Sequence, residues 1–63
     1  MNQVYIVVEV SDNIDRIGGV YASLVDARDH ATDIAEYAGF EPVRDDVWGD
    51  DDHGVRIDVH EVN

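Results

Sequence analysis

The side chains with the most chemical potential crowd into "RDDVWGDDDHG", positions 44–54, where five aspartates, a histidine and the chain's one tryptophan share eleven positions. Asp45, Asp46, Asp50, Asp51, Asp52 and His53 are the donor types that bind Ca²⁺ or Mg²⁺. Their spacing is not that of an EF-hand loop: Gly54 is misplaced and no glutamate follows at the required distance. Consecutive aspartates also point in different directions. The expectation is a solvated, glycine-bounded turn with loosely associated K⁺ or Na⁺ and no specific metal site. Zinc is disfavoured too, since His30, His53 and His60 are scattered and there is no cysteine. Asp58 and His60 share a strand face, and their expected role is an ordinary surface pair.

Catalysis finds no better footing. Ser11 and Ser23 fall in turn and cap contexts, not in a nucleophile elbow. Carboxylates are so abundant that two of them lying close together would not indicate acid/base chemistry. A chain of 63 residues also has difficulty enclosing a pocket. No catalytic residue, cofactor or metal is expected, and the protein is read as non-enzymatic.

The balance of charge carries more information. Fifteen acidic residues face four basic ones, for a formal net charge of −11 and a pI near 4.1. Direct contact with nucleic acid or an anionic membrane surface is disfavoured. Eleven of the acids are aspartate, the four bases are Arg16, Arg28, Arg44 and Arg56, and lysine is absent. Short hydrated carboxylates without lysine match proteomes that work in concentrated KCl, where screening removes much of the self-repulsion. A halophilic archaeon or its virus is the expected source. The longest apolar run, Val4 to Val8, is far below the roughly 20 residues a membrane span needs, and nothing resembles a signal peptide. A cytoplasmic location is expected.

These side chains must be positioned by few elements. Residues 1–63 make one domain, with neither disulfide nor thiolate to staple it. "QVYIVVEV" (3–10) alternates, with Val4, Ile6, Val8 and Val10 on one face and Tyr5, Val7 and Glu9 on the other, as a central strand does. "SDNIDR" (11–16) is turn chemistry, and "IGGVYA" (17–22) is a second strand in which Gly18 and Gly19 mark a bulge. Ser23 is placed as an N-cap, with Asp26 in the first turn. Leu24, Ala27, Ala31, Ile34, Ala35 and Ala38 recur at helical spacing as a buried stripe that Gly39 and Phe40 terminate. Asp26, Asp29, Asp33 and Glu36 lie on the opposite, solvated face. A short extended piece is expected between Val43 and Trp48, where Pro42 argues against a long central strand. "VRIDVHEV" (55–62) closes the chain as an alternating strand.

The expected fold is therefore α+β, a ββαβ chain forming a three-stranded antiparallel sheet of order 2-1-3 with one helix packed on one face. The uncovered face would present Tyr5, Val7, Ile17 and Tyr21.

"VYIVVEV", "IGGVYAS" running into a helix with paired alanines, "GF" at the helix end and the closing "VRIDVHEV" together resemble a family of very small uncharacterised domains found in archaea, bacteria and their viruses. Its pattern is a Val-Tyr strand, a Gly-Val-Tyr/Phe-Ser-Ser helix entry and an alternating last strand. Ala22 stands where that pattern has Ser or Thr, and the acidic 44–54 stretch is longer than it requires. The resemblance implies the ββαβ fold; it implies no enzymatic activity and transfers no site residues.

The function expected from these features is protein interaction. The chain would form a homodimer or other homo-oligomer through its open sheet face or an edge strand, with Tyr5, Val7, Tyr21 and Trp48 as apolar contacts, or would meet an unidentified protein partner. The rival expectation is a DNA mimic that inhibits a nucleic-acid-binding protein, with Asp26, Asp29, Asp33 and Glu36 extended by the 45–52 cluster as phosphate substitutes. Acid in one stripe is what mimicry requires; acid everywhere is what salt adaptation requires.

Overall fold

A computed structural model describes residues 2–62. β1 (Asn2–Ser11) and β2 (Ile14–Tyr21) form a hairpin, α1 (Leu24–Ala38) follows, then two short strands, β3 (Pro42–Arg44) and β4 (Val47–Gly49), and finally β5 (Gly54–Val62). All pairings are antiparallel and the order is β2-β1-β5-β4-β3. The expected three-stranded sheet is thus corrected to five strands. The difference arises at 42–49, which is a hairpin turning at Asp45–Asp46 and not a single extended piece. Strands of three residues are too short to show a period of two. Their placement is decided by the pairing of β4 with β5 at Val47↔Arg56, Trp48↔Val55 and Gly49↔Gly54. Pro42 starts β3, an edge strand, where the missing N–H breaks no interior ladder.

The β1–β2 turn is tighter than the sequence suggested. Only Asp12 and Asn13 lie outside the strands, both at positive φ (52° and 62°), the signature of a two-residue type I′ hairpin turn. β2 therefore starts at Ile14. Its glycine pair is a bulge as expected: Val7 pairs with Gly19 and Val8 with Ile17, leaving Gly18 unpaired. The requirement at Gly19 is space, because a Cβ there would lie 2.9 Å from Tyr21 Cε2 and 3.0 Å from His30 Nδ1. The bulge lets a hydrogen bond of 2.7 Å between the Tyr21 hydroxyl and His30 Nδ1 tie the end of β2 to the helix.

α1 lies across the sheet through an alanine stripe. Ala27, Ala31 and Ala35 are buried against Val7, Trp48, Val55 and Ile57, with Tyr5, Tyr21, Ile34 and Phe40 packed around them. Small side chains on the helix allow close approach, and aromatic rings fill the flanks. Leu24 and Ala38, at the two ends of the expected stripe, are exposed. Ser23 occupies the N-cap position in an extended conformation, but its hydroxyl makes no capping hydrogen bond. At the other end Gly39 is left-handed and the Phe40 N–H bonds to the Ala35 carbonyl at 2.8 Å, the 6→1 closure of a Schellman motif.

The helix covers the face opposite to the one expected. Tyr5 and Val7 point into the core, as do their cross-strand neighbours Tyr21 and Ile57. The uncovered face carries Val4, Ile6, Val8 and Val10 of β1 with Ile17 and Val20 of β2 and Arg56, Asp58, His60 and Val62 of β5. β1 is apolar on both faces, so alternation alone does not choose between them. The choice follows from ring volume: Tyr5, Tyr21, Phe40 and Trp48 all gather on the helix side, where a second layer buries them.

Candidate functional site

The 44–54 stretch that dominates the sequence is organised around its own backbone. Asp50 folds back so that one carboxylate oxygen accepts the N–H groups of Asp52 (2.9 Å) and His53 (2.8 Å), while its own N–H donates to the His53 carbonyl (2.8 Å). These bonds, that from His53 first, hold the Asp50 carboxyl below the usual aspartate range. Gly49 takes a φ of 90°, and a Cβ on either Gly49 or Gly54 would run into neighbouring backbone. The loop is tied to the β1–β2 turn by Asn13 N–H to the Asp52 carbonyl (3.1 Å) and by His53 Nε2 beside Asp12 (3.3 Å). Asp45 and Asp46 are separated from it by β4, so the six donors do not form one cluster. Among the described residues no three acidic or imidazole groups converge as metal ligands would.

Asp50→Ala should therefore lower the melting temperature at neutral pH although no apolar contact is lost. A folded-state pKa held low contributes stability that is present above the unfolded pKa and lost as pH falls through the folded one. The deficit of the variant should shrink progressively as pH falls below the reference aspartate pKa of about 3.9. Parallel thermal melts of both chains from pH 7 to pH 2.5 check this; a deficit that persists undiminished in acid would show that the carboxylate is not its source.

The three histidines serve three separate neighbourhoods: His30 bonds to Tyr21, His53 lies beside Asp12, and His60 stands on the uncovered face opposite Val4. Asp58, expected beside His60, is instead engaged by Arg56. Ser11 ends β1 and Ser23 precedes the helix. The residues expected at an interface are gathered by the fold, but inward: Val7 is 0% exposed, Trp48 is 9% exposed, and Tyr5 and Tyr21 pack against the same cluster.

What the strand pattern did not reveal is the centre of the uncovered face. Arg56 sits opposite Val8 on β5, yet its guanidinium forks onto Asp15 of β2, two strands away, with Nη2 to Oδ2 at 2.9 Å and Nη1 to Oδ1 at 3.4 Å. Its Nε donates to Asp58 Oδ1 at 3.0 Å. The side chain must cross β1 to do this, and Val8 beneath it is only 5% exposed on a face that no helix covers. Asp15 is held low by the Arg56 hydrogen bonds, and Arg56 is held high by Asp15 first and Asp58 second. Two carboxylates and one guanidinium leave the β1, β2 and β5 positions of this face at formal −1, against −11 for the chain. Around the clamp lie Ile17 (71% exposed) and Val20 (57% exposed), with Val4, Ile6 and Val10 half-buried and Val62 exposed.

The remaining acid is spread over the rest of the molecule. Asp26, Asp29, Asp33 and Glu36 are exposed on the helix, Asp12 in the first turn, and Glu41, Asp45, Asp46 and Asp50–Asp52 in the later turns and loops. This is a shell interrupted at one sheet face, not a single stripe. Comparisons with protein-family models, with curated proteins and with solved structures returned no match. Among the described residues no helix is long and apolar enough to cross a membrane.

Proposed function

We propose that this chain is a non-enzymatic interaction module that pairs with a second copy of itself through the uncovered face of its sheet, in the concentrated salt to which its composition is suited. The observation that carries the reading is the charge asymmetry. Two molecules of net charge −11 bring carboxylates against carboxylates in most orientations; the Val4–Val10, Ile17 and Val20 face is the broad surface on which they do not. A two-fold interface uses the same patch on both partners, so a self-neutralised patch is suited to it. The molecule's extents of 34 and 21 Å bound a face of the order of the roughly 800 Å² per partner that a standard interface buries. Tyr5, Val7, Tyr21 and Trp48 then act indirectly, by holding the helix on the other side.

The test is molar mass by light scattering in concentrated KCl and in dilute buffer. The expected result is a dimer in KCl that dissociates as salt is withdrawn. Ile17→Asp and Val20→Asp each place a new carboxylate on the patch and should yield a folded monomer at every salt concentration, since pairing would bury an unpaired charge among apolar side chains, a desolvation cost that salt does not screen. A wild-type chain that stays monomeric in concentrated KCl, or variants that remain dimeric, would overturn the reading.

A further inference from the structure

We propose a second interaction surface: the free edge of β5, which accepts an extended basic segment of a partner protein as an added strand. β5 is nine residues long, but β4 accompanies it only from Gly54 to Arg56. The Asp46 carbonyl then takes the Ile57 N–H at 3.0 Å, and from Asp58 to Val62 the described residues place a strand on one side only, that of β1. The Ile57 bond fixes the alternation. Ile57 turns its backbone groups away from β1, so Val59 and Glu61, two and four residues on, do the same. Their N–H and C=O groups, with the Ile57 C=O, form a short open ladder.

Beside this ladder, on the helix side, runs a cleft of about 570 Å³. Its floor is Tyr5, Ile57 and Val59, Leu24 and Arg28 of the helix form one wall, and the Arg44–Asp46 turn closes its end. Leu24 and Val59 are among the exposed large hydrophobic residues of the chain. An added strand would bond to the ladder and send every second side chain into this cleft, the division of labour seen when peptides extend a sheet.

Charge decides which strand fits. Glu61 follows Ile57 and Val59 on the cleft side, and the cleft adds Asp45 and Asp46, with Arg28 3.9 Å from Asp45, while Asp58 lies on the opposite face bonded to Arg56. A second β5 would bring its own Glu61, Asp45 and Asp46 to an edge already acidic, an arrangement that natural edges use to refuse self-pairing. A segment alternating apolar and basic residues lays one row of side chains on the cleft side, where the Tyr5, Ile57 and Val59 floor is flanked by Asp45, Asp46 and Glu61, and is attracted over distance by the charge of −11. The other long edge, β2, is distorted by the Gly18 bulge and is the poorer template.

The experiment uses capped eight-residue peptides and titration calorimetry with the full chain in moderate salt, with amide exchange as the structural readout. The probes are alternating Val-Lys, the same composition in two blocks, alternating Val-Lys N-methylated along one backbone edge, and alternating Val-Glu. The alternating Val-Lys peptide should bind at least about tenfold more tightly than the block and N-methylated forms, the scale of losing one or two hydrogen bonds. It should protect the Val59 and Glu61 amides, and the Val-Glu peptide should not bind. Block and N-methylated peptides binding within about twofold of the alternating one would mean charge attraction alone and overturn the proposal; so would protection confined to the helix. The Ile17→Asp chain keeps the β5 edge, so repeating the titration on it separates failure of this surface from failure of the face-to-face pairing.

Discussion

Trp48→Ala is expected to unfold this protein in dilute buffer. Trp48 is the largest side chain in the core, and it stands on a three-residue strand held by β5 and β3 and packed against the alanine stripe. Truncating a buried tryptophan typically costs about 3–5 kcal/mol. The whole stability of a 63-residue domain is on the order of 3–9 kcal/mol. The loss therefore consumes from about a third to all of what is available. Trp48→Phe should retain the fold with a lower urea midpoint, because a smaller ring still fills part of the site. Far-UV circular dichroism during urea titration measures both variants without relying on tryptophan fluorescence. A Trp48→Ala midpoint matching the wild-type one would mean that the β3–β4 arm packs independently of the core.

The second large effect is that of salt. Asp26–Asp29, Asp29–Asp33 and Asp33–Glu36 are like-charged neighbours one helical turn apart on an exposed face. Each pair costs a few tenths of a kcal/mol in dilute buffer, so the helix alone stores about 1 kcal/mol of repulsion. In a domain of this size that amount moves the melting temperature by about 4–8 °C. At 1 M KCl the Debye length falls to about 3 Å and most of the cost disappears. The melting temperature should rise steeply with KCl. The double variant Asp29→Asn, Asp33→Asn should gain several degrees over wild type in dilute buffer and nothing in concentrated KCl. An equal gain in both would show that the asparagines act through packing or helix propensity and not through relief of repulsion.

Legibility from sequence followed the length of each element. α1 has a 15-residue pattern, a glycine stop and a hydrophobic residue after it, and these local signals suffice to place it. β1 and β5 alternate over nine or ten residues and were equally visible, and the Gly18–Gly19 bulge was readable because paired glycines are costly in a strand without a steric reason. β3 and β4 were not visible as two strands: Pro42–Arg44 and Val47–Gly49 offer three residues each, and the aspartates between them make a turn only once β4 has β5 to pair with. The Asp50 loop is half legible. Its glycines announce a turn, while the capture of the Asp52 and His53 amides by the Asp50 carboxylate depends on geometry that consecutive aspartates do not reveal.

The candidate interface was the least legible, for a physical reason. Alternation separates two faces of a strand but does not name the one that meets the helix, and β1 offers apolar residues on both. Likewise, charge counts assign −11 to the chain but not to its surfaces. Sequence by itself determined the α+β composition, the helix and its ends, the two long strands beside β1 and an acidity that disfavours direct phosphate contact. Only tertiary structure decided that Tyr5, Val7, Tyr21 and Trp48 lie beneath the helix, that Arg56 reaches across β1 to bind both Asp15 and Asp58, and that among the described residues no strand accompanies β5 past the end of β4. Periodicity and composition are properties of neighbours along the chain, whereas these three features arise from residues up to 41 positions apart brought together by sheet register.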